Sequence, residues 1–286
     1  MKLLIISGLS GSGKSIALNT LEDLDHYCVD NLPITLLKAF GENIAKSDFS
    51  PYENFAVGID ARNQTNELIN FPEIVDQLKE LGLEVEIVFL QTSEEILIKR
   101  FSETRRKHPL STPERNLVDS INYERELLLP ILSEANLIID TSNTNIYQLR
   151  DNIIKRIGNN KNNLSVLFKS FGFKNRVPND ADFVFDVRCL PNPYWETRLR
   201  PYTGLDKPII DFLEKHSAVN SMYLDIASFI KNWIPEFEAQ NRKYLTIAIG
   251  CTGGHHRSVF LVEKLAEYFR TLYKNTDISV YHRELT

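Results

Sequence analysis

Short apolar runs alternate with amphipathic stretches through the first 150 positions of the chain. Leu3–Ile6, Tyr27–Val29, Phe55–Ile59, Val85–Leu90 and Leu137–Ile139 read as strands. Between them apolar residues recur at helical spacing, as in Ile16–Leu24, Glu67–Leu81 and Glu94–Thr104. Such alternation predicts βαβ units and a parallel sheet covered by helices. Gly158-Asn159-Asn160-Lys161-Asn162-Asn163 breaks both periodicities and reads as a linker. It divides a domain over residues 1–158 from a smaller one over 165–286. The second part restarts with strands at Ser165–Phe168 and Phe183–Val187. Helices are expected over Lys207–Lys215 and Met222–Glu238, and a strongly apolar strand at Leu245–Ile249 leads into a helix running to Tyr273. Ile278–Tyr281 supplies a last strand. The expected class is α/β throughout, in two domains.

The first strand runs into Gly8-Leu9-Ser10-Gly11-Ser12-Gly13-Lys14-Ser15, which fits G-x-x-x-x-G-K-[ST] at every defined position. Glycines let the backbone approach phosphate oxygens closely, and the loop's N–H groups and the following helix N-terminus then face an anion. In such a loop Lys14 reaches the β/γ-phosphates of a nucleoside triphosphate and the Ser15 hydroxyl ligates Mg²⁺. An acid at a neighbouring strand end should support the metal. Asp60 is preferred, since Arg62 follows closely in Asp60-Ala61-Arg62-Asn63; Asp30 and Asp140 are rivals, and an Asp after a strand also serves as a cap or turn residue. Downstream, Lys99, Arg100, Arg105, Arg106, Lys107 and His108 crowd one helix end. Arginines there would stabilise charge on a transferring phosphoryl group, as in the lid of small nucleotide kinases; the alternative is a solvated helix end.

A second glycine loop, Gly250-Cys251-Thr252-Gly253-Gly254-His255-His256-Arg257-Ser258, again joins a buried strand to a helix and suits an anion. Its Cys-x₅-Arg spacing matches cysteine-dependent phosphatases, in which a thiolate attacks phosphorus while the arginine holds the oxygens. Gly250 stands where those enzymes carry a His, and no general-acid loop is identifiable, so a binding loop without covalent chemistry is the first reading. Pro191–Tyr202, with Trp195, Arg198 and Arg200, is either a ligand clamp or a packed loop.

Composition narrows the setting. Only three cysteines occur, widely spaced, and no apolar stretch has the length of a membrane span. With Met1-Lys2 leading straight into a strand, a cytoplasmic protein without leader or membrane contact is expected. The net charge of −5 argues against chain-wide attraction to nucleic acid. It is unevenly divided: residues 165–286 hold 16 Lys+Arg against 14 Asp+Glu, and residues 1–164 hold 17 against 24. Any RNA would therefore favour the second part, at Arg270, Lys274, His282 and Arg283, and this sparse patch predicts no tight complex at physiological salt.

Taken in order, Gly8–Ser15, Cys28-Val29-Asp30-Asn31-Leu32-Pro33, Asp60-Ala61-Arg62-Asn63, Thr104–Leu110, Ser170-Phe171-Gly172-Phe173-Lys174, Phe185-Asp186-Val187-Arg188, Leu190-Pro191-Asn192-Pro193, Thr203–Pro208 and Gly250–Gly254 resemble the RapZ family of bacterial P-loop proteins, the RNase adapter proteins. The resemblance implies a kinase-like N-terminal domain with ATPase and GTPase activity. ATP would sit on residues 8–15 and GTP on Asp60-Ala61-Arg62-Asn63. It further implies a homo-oligomer and a C-terminal pocket for a phosphorylated ligand, an amino sugar phosphate being the expected kind. In enteric members that domain binds small RNAs and presents them to an endoribonuclease. Those members end in a Lys/Arg-rich tail, which Tyr281-His282-Arg283-Glu284-Leu285-Thr286 lacks. The expectation is a slow ATP/GTP hydrolase acting as a metabolite-responsive regulator; the rival activities are a small-molecule kinase and the phosphatase.

Overall fold

The computed structural model describes residues 1–46, 52–62, 65–157, 164–240, 242–274 and 276–285, with the side chains of Thr65 and Asn66 outside the description. The expected linker at 158–163 lies outside the described residues, as does Asn63. The chain divides into two compact units, Met1–Gly158 and Asn159–Thr286.

In the first unit β1 (Lys2–Gly8), α1 (Lys14–Glu22), β2 (Tyr27–Val29), α2 (Ile34–Lys46), β3 (Asn54–Gly58), α3 (Thr65–Leu68), α4 (Phe71–Glu80), β4 (Glu84–Gln91), α5 (Glu94–Thr104), α6 (Leu117–Leu127), α7 (Leu129–Ser133), β5 (Leu137–Asp140) and α8 (Ile146–Ile157) follow in order. The five strands form a parallel sheet in the order β2-β3-β1-β4-β5. Helices cover it, which is why Leu3, Leu4, Ile5 and Ile6 are all apolar and fully buried. The single helix expected over Glu67–Leu81 is two. Pro72 lacks the N–H that a helix interior requires, so the chain breaks after Leu68 and restarts at Phe71 with Pro72 in the first turn.

The second unit holds β6 (Ser165–Gly172), β7 (Phe183–Asp186), α9 (Lys207–Glu214), α10 (Ser217–Ala239), β8 (Tyr244–Cys251), α11 (Arg257–Leu272) and β9 (Asp277–His282). Its four strands are again parallel, in the order β7-β8-β6-β9. Phe168 of β6 stacks on Phe269 of α11 at 5.6 Å in the core. β6 runs four residues beyond the expected Phe168 because Lys169, which reads as the polar end of a strand, is buried against Asp180 at 2.6 Å. β8 likewise continues through Gly250 to Cys251 instead of turning at the glycine.

Candidate functional site

Parallel strands point the same way, so every strand of a unit delivers its following loop to one sheet edge. In the first unit β1 delivers Gly8–Ser15, and the adjacent β3 delivers Asp60. Gly8 enters the loop at φ 140, and a Cβ there would lie 2.0 Å from the Leu90 carbonyl oxygen, so no other residue fits. Gly11 and Gly13 also have positive φ, and Gly13 caps α1. The loop is braced on two sides. On one, the Glu124 carboxylate of α6 accepts from the Ser10 N–H at 2.9 Å, the Ser10 hydroxyl at 2.6 Å and His108 Nε2 at 3.0 Å. The Leu110 N–H donates to His108 Nδ1, so Nε2 is the nitrogen that donates to Glu124. On the other, Arg100 donates to the Gly11 carbonyl at 2.9 Å and to the Thr141 carbonyl at 2.7 Å, while the Thr141 hydroxyl donates to the Ser12 carbonyl at 2.8 Å.

Lys14 turns its ammonium back into the loop, donating to the Gly8 carbonyl at 2.7 Å and the Leu9 carbonyl at 3.3 Å. Burial pushes its pKa down, against the opposing charges of Glu124, Asp60 and Asp30. Ser15 is exposed at the head of α1. Asp60 is bound by Arg62 through both carboxylate oxygens, with Nη2 at 2.6 Å and Nε at 2.9 Å from Oδ2. Burial would raise the Asp60 pKa, but the Arg62 hydrogen bonds and the Lys14 charge hold it below the usual carboxylate value. Ala61 is buried behind it. Of the rival acids, Asp30 acts on Lys14 as Asp60 does, whereas Asp140 accepts from the N–H and hydroxyl of Ser142 and shapes a turn. The basic run is not one cluster. Arg100 braces the loop and His108 is buried against Glu124, while Arg105, at φ 51 on the end of α5, and Arg106 are exposed.

In the second unit the edge gathers Cys251–Ser258 after β8, Lys174 after β6 and Arg188 after β7. A cavity of about 290 Å³ is lined by Lys174, Asn192, Tyr194, the Cys251–Gly253 segment, His255, His256 and Arg257. Gly254 turns the loop at φ 77, and Glu284 packs where its Cβ would be. Cys251 Sγ accepts from the Gly254 N–H at 3.3 Å and meets the Ser258 hydroxyl at 3.2 Å. Arg257 donates Nη1 to the Arg188 and Leu190 carbonyls, both at 2.9 Å, and Nη2 to the Thr252 hydroxyl at 3.3 Å. Its buried Nε has no hydrogen-bond partner. His256 donates to the Tyr202 carbonyl at 2.7 Å, and burial lowers its pKa against that hydrogen bond. Within Pro191–Tyr202 only Asn192 and Tyr194 reach the cavity; Trp195 is 81% exposed. Arg283, expected to meet RNA, is instead buried, donating to the Gly172 carbonyl at 2.9 Å and paired with Glu284. Among the described residues no group of three or more His, Cys, Asp or Glu is placed to hold a metal ion, and no helix is long and apolar enough to cross a membrane.

Glu124, Thr141 and Lys174 are absent from the sequence-level candidates. Each arrives from an element remote in sequence, and only the fold brings it to the loop.

Residues 1–161 match the RapZ-like N-terminal domain, and residues 164–286 match the RapZ C-terminal domain. A nucleotide-binding protein of Alkalilimnicola ehrlichii is 53% identical over 285 residues, covering 100% of this chain and 98% of that protein. Another, from Hahella chejuensis, is 51% identical over 286 residues, covering 100% and 99%. Among solved structures, a sugar kinase from Janibacter sp. is similar at 15% identity and a TM-score of 0.38, covering 54% of this chain and 92% of that one. Both glycine loops and their strand–helix settings thus stand within domains matched from end to end, and the chain belongs to the RapZ family.

Proposed function

We propose that the chain binds a nucleoside triphosphate, ATP or GTP, on Gly8–Ser15 and hydrolyses it slowly, and that its second unit takes a phosphorylated metabolite at Cys251–Ser258, making the protein a metabolite-responsive regulator of the RNase-adapter type. The observation that carries the reading is the braced loop itself. A row of backbone N–H groups at the end of β1 leads into the N-terminus of α1, with the Lys14 ammonium inside it. Relatives at about half identity that are named nucleotide-binding proteins support it.

Lys14 would exchange the Gly8 and Leu9 carbonyls for β/γ-phosphate oxygens, its charge stabilising the transferring phosphoryl group. Mg²⁺ would be held by the Ser15 hydroxyl together with phosphate oxygens and Asp60, and would supply neutralisation of phosphate charge. Asp60 would also orient Arg62 toward the nucleotide, since Arg62 is already fixed against it. Arg105 and Arg106, exposed beside the loop-bracing Arg100 and His108, are free to reach added phosphate charge. In the second unit Arg257, Lys174 and His255 line the cavity and would supply donors to a phosphate, and Tyr194 would supply a face for a sugar-sized ring.

The decisive experiment is phosphate release from ATP and from GTP by the Lys14→Ala variant of the full chain. Hydrolysis should fall to background while far-UV circular dichroism stays that of the wild type. Undiminished hydrolysis in a folded variant would refute the assignment.

A further inference from the structure

Resting on the reading that the Cys251–Ser258 loop holds a phosphorylated ligand, we propose that this loop also cleaves small phosphomonoesters, with Cys251 as the nucleophile. Four observations converge on it. Cys251 is 3% exposed and forms part of the wall of the 290 Å³ cavity, so its sulfur meets the ligand rather than bulk solvent. Two groups meet that sulfur from the loop and the first turn of α11: the Gly254 N–H, which donates to it at 3.3 Å, and the Ser258 hydroxyl, able to donate to it at 3.2 Å. These are the partners a sulfur anion requires, and a helix N-terminus adds its own favourable potential. Arg257, 4% exposed, lines the same cavity, and its buried Nε has no hydrogen-bond partner. Its other donors meet the Arg188 and Leu190 carbonyls and the Thr252 hydroxyl, which fix the guanidinium plane beside the loop. Finally, Lys174, which follows β6, and His255 of the loop itself line the same space and bring a cation and a group able to donate a proton to it.

The reaction balances without any redox partner. The Cys251 sulfur anion attacks phosphorus, an S–P bond forms, and the P–O bond to the alcohol breaks. The departing alkoxide takes a proton from His255 or from water. A water molecule then attacks the phosphocysteine and gives up its proton, the S–P bond breaks, and inorganic phosphate leaves with the sulfur anion restored. Arg257 and the loop N–H groups hold the non-bridging oxygens through both steps. The cavity has room for a phosphate bearing a group of sugar size, so the substrate class is a small phosphomonoester rather than a phosphoprotein.

The test uses the full-length chain and p-nitrophenyl phosphate in EDTA, which removes metal-dependent hydrolysis at the N-terminal loop. Wild type should turn over and be blocked by orthovanadate. Cys251→Ser should lose turnover at least about a hundredfold while still binding inorganic phosphate in calorimetry. Acid quench of the wild type during turnover should trap phosphate on the Cys251 peptide, a readout that does not depend on any variant folding. Wild type that binds phosphate but neither turns over nor traps it overturns the proposal and leaves the binding reading standing. Failure to bind phosphate at all overturns both. Turnover that persists in Cys251→Ser, or trapped phosphate on another residue, overturns the nucleophile.

Discussion

Glu124→Ala should destabilise the first unit severely without touching the phosphate-facing side of its loop. The Glu124 carboxylate is fully buried and accepts three hydrogen bonds, from the Ser10 N–H, the Ser10 hydroxyl and His108 Nε2. Each buried donor left without an acceptor costs about 1–3 kcal/mol. The Ser10 hydroxyl can rotate to another acceptor, and the alanine removes the carboxylate's own desolvation cost. The His108 proton cannot move to Nδ1, which the Leu110 N–H already occupies. With two buried donors orphaned, the Ser10 N–H and the His108 Nε2–H, a net loss of about 2–4 kcal/mol follows. Against a domain stability of about 5–15 kcal/mol this is a large fraction. Both tryptophans, Trp195 and Trp233, belong to the second unit, so tryptophan fluorescence follows that unit while far-UV circular dichroism follows both. In urea titrations the variant should show a circular-dichroism component shifted to low denaturant with the fluorescence midpoint in place. Glu124→Gln, keeping one acceptor oxygen, should fall between. A loss under about 1 kcal/mol, or a shift confined to fluorescence, would refute the reasoning.

Gly8→Ala should cost the first unit at least about 3 kcal/mol, because the new Cβ collides with the Leu90 carbonyl at a φ that side chains avoid; a urea midpoint equal to wild type would show that the strand end yields. Tyr281 gives a pH signature in the second unit. Burial pushes its phenol up to about 12 from 10.0, with the Asp180 charge adding to the rise and Arg283 opposing it. The stability gained by keeping it neutral is intact below pH 10 and is lost as pH rises toward 12, since the unfolded chain ionises first. Its hydroxyl is buried without a hydrogen-bond partner, so Tyr281→Phe should leave neutral-pH stability unchanged or slightly raised and move the alkaline midpoint of the tryptophan transition upward. An unchanged alkaline midpoint would show that another group controls it.

What could be read in advance follows from range. The strands of the first sheet read as apolar runs, most clearly β1 and β3, whose Leu3–Ile6 and Phe55–Val57 are buried throughout and leave no polar alternation to confuse the signal. Gly8–Ser15 is legible because all its chemistry lies within eight consecutive residues. The braces on that loop were not. Glu124 lies 114 positions from Ser10 and shares its helix with Glu126, and nothing local says which of the two is buried. Arg100 reads like its neighbours Arg105 and Arg106 until the register of α5 turns it inward onto Gly11 and Thr141. Lys169 misled for the opposite reason: its neutralising partner, Asp180, lies across a loop, so a core residue reads as a strand end. The break before Phe71 was missed although Pro72 signals it, since a proline permits the first turn of a helix and forbids its middle.

β1 precedes in sequence both of the strands that flank it in the sheet. It lies between β3 and β4, which begin at Asn54 and Glu84, so the segment Leu3–Ile6 must wait for some eighty further residues before both its edges are paired. At synthesis rates of about 5–20 residues per second that is on the order of 4–16 s with an apolar strand unprotected. The loop that follows carries glycines, serines and a lysine rather than more apolar residues, so the exposed stretch is short and is closed by a charge at each end, Lys2 and Lys14. The composition that suits phosphate in the finished protein thus also serves the nascent one, as a gatekeeper against premature strand pairing.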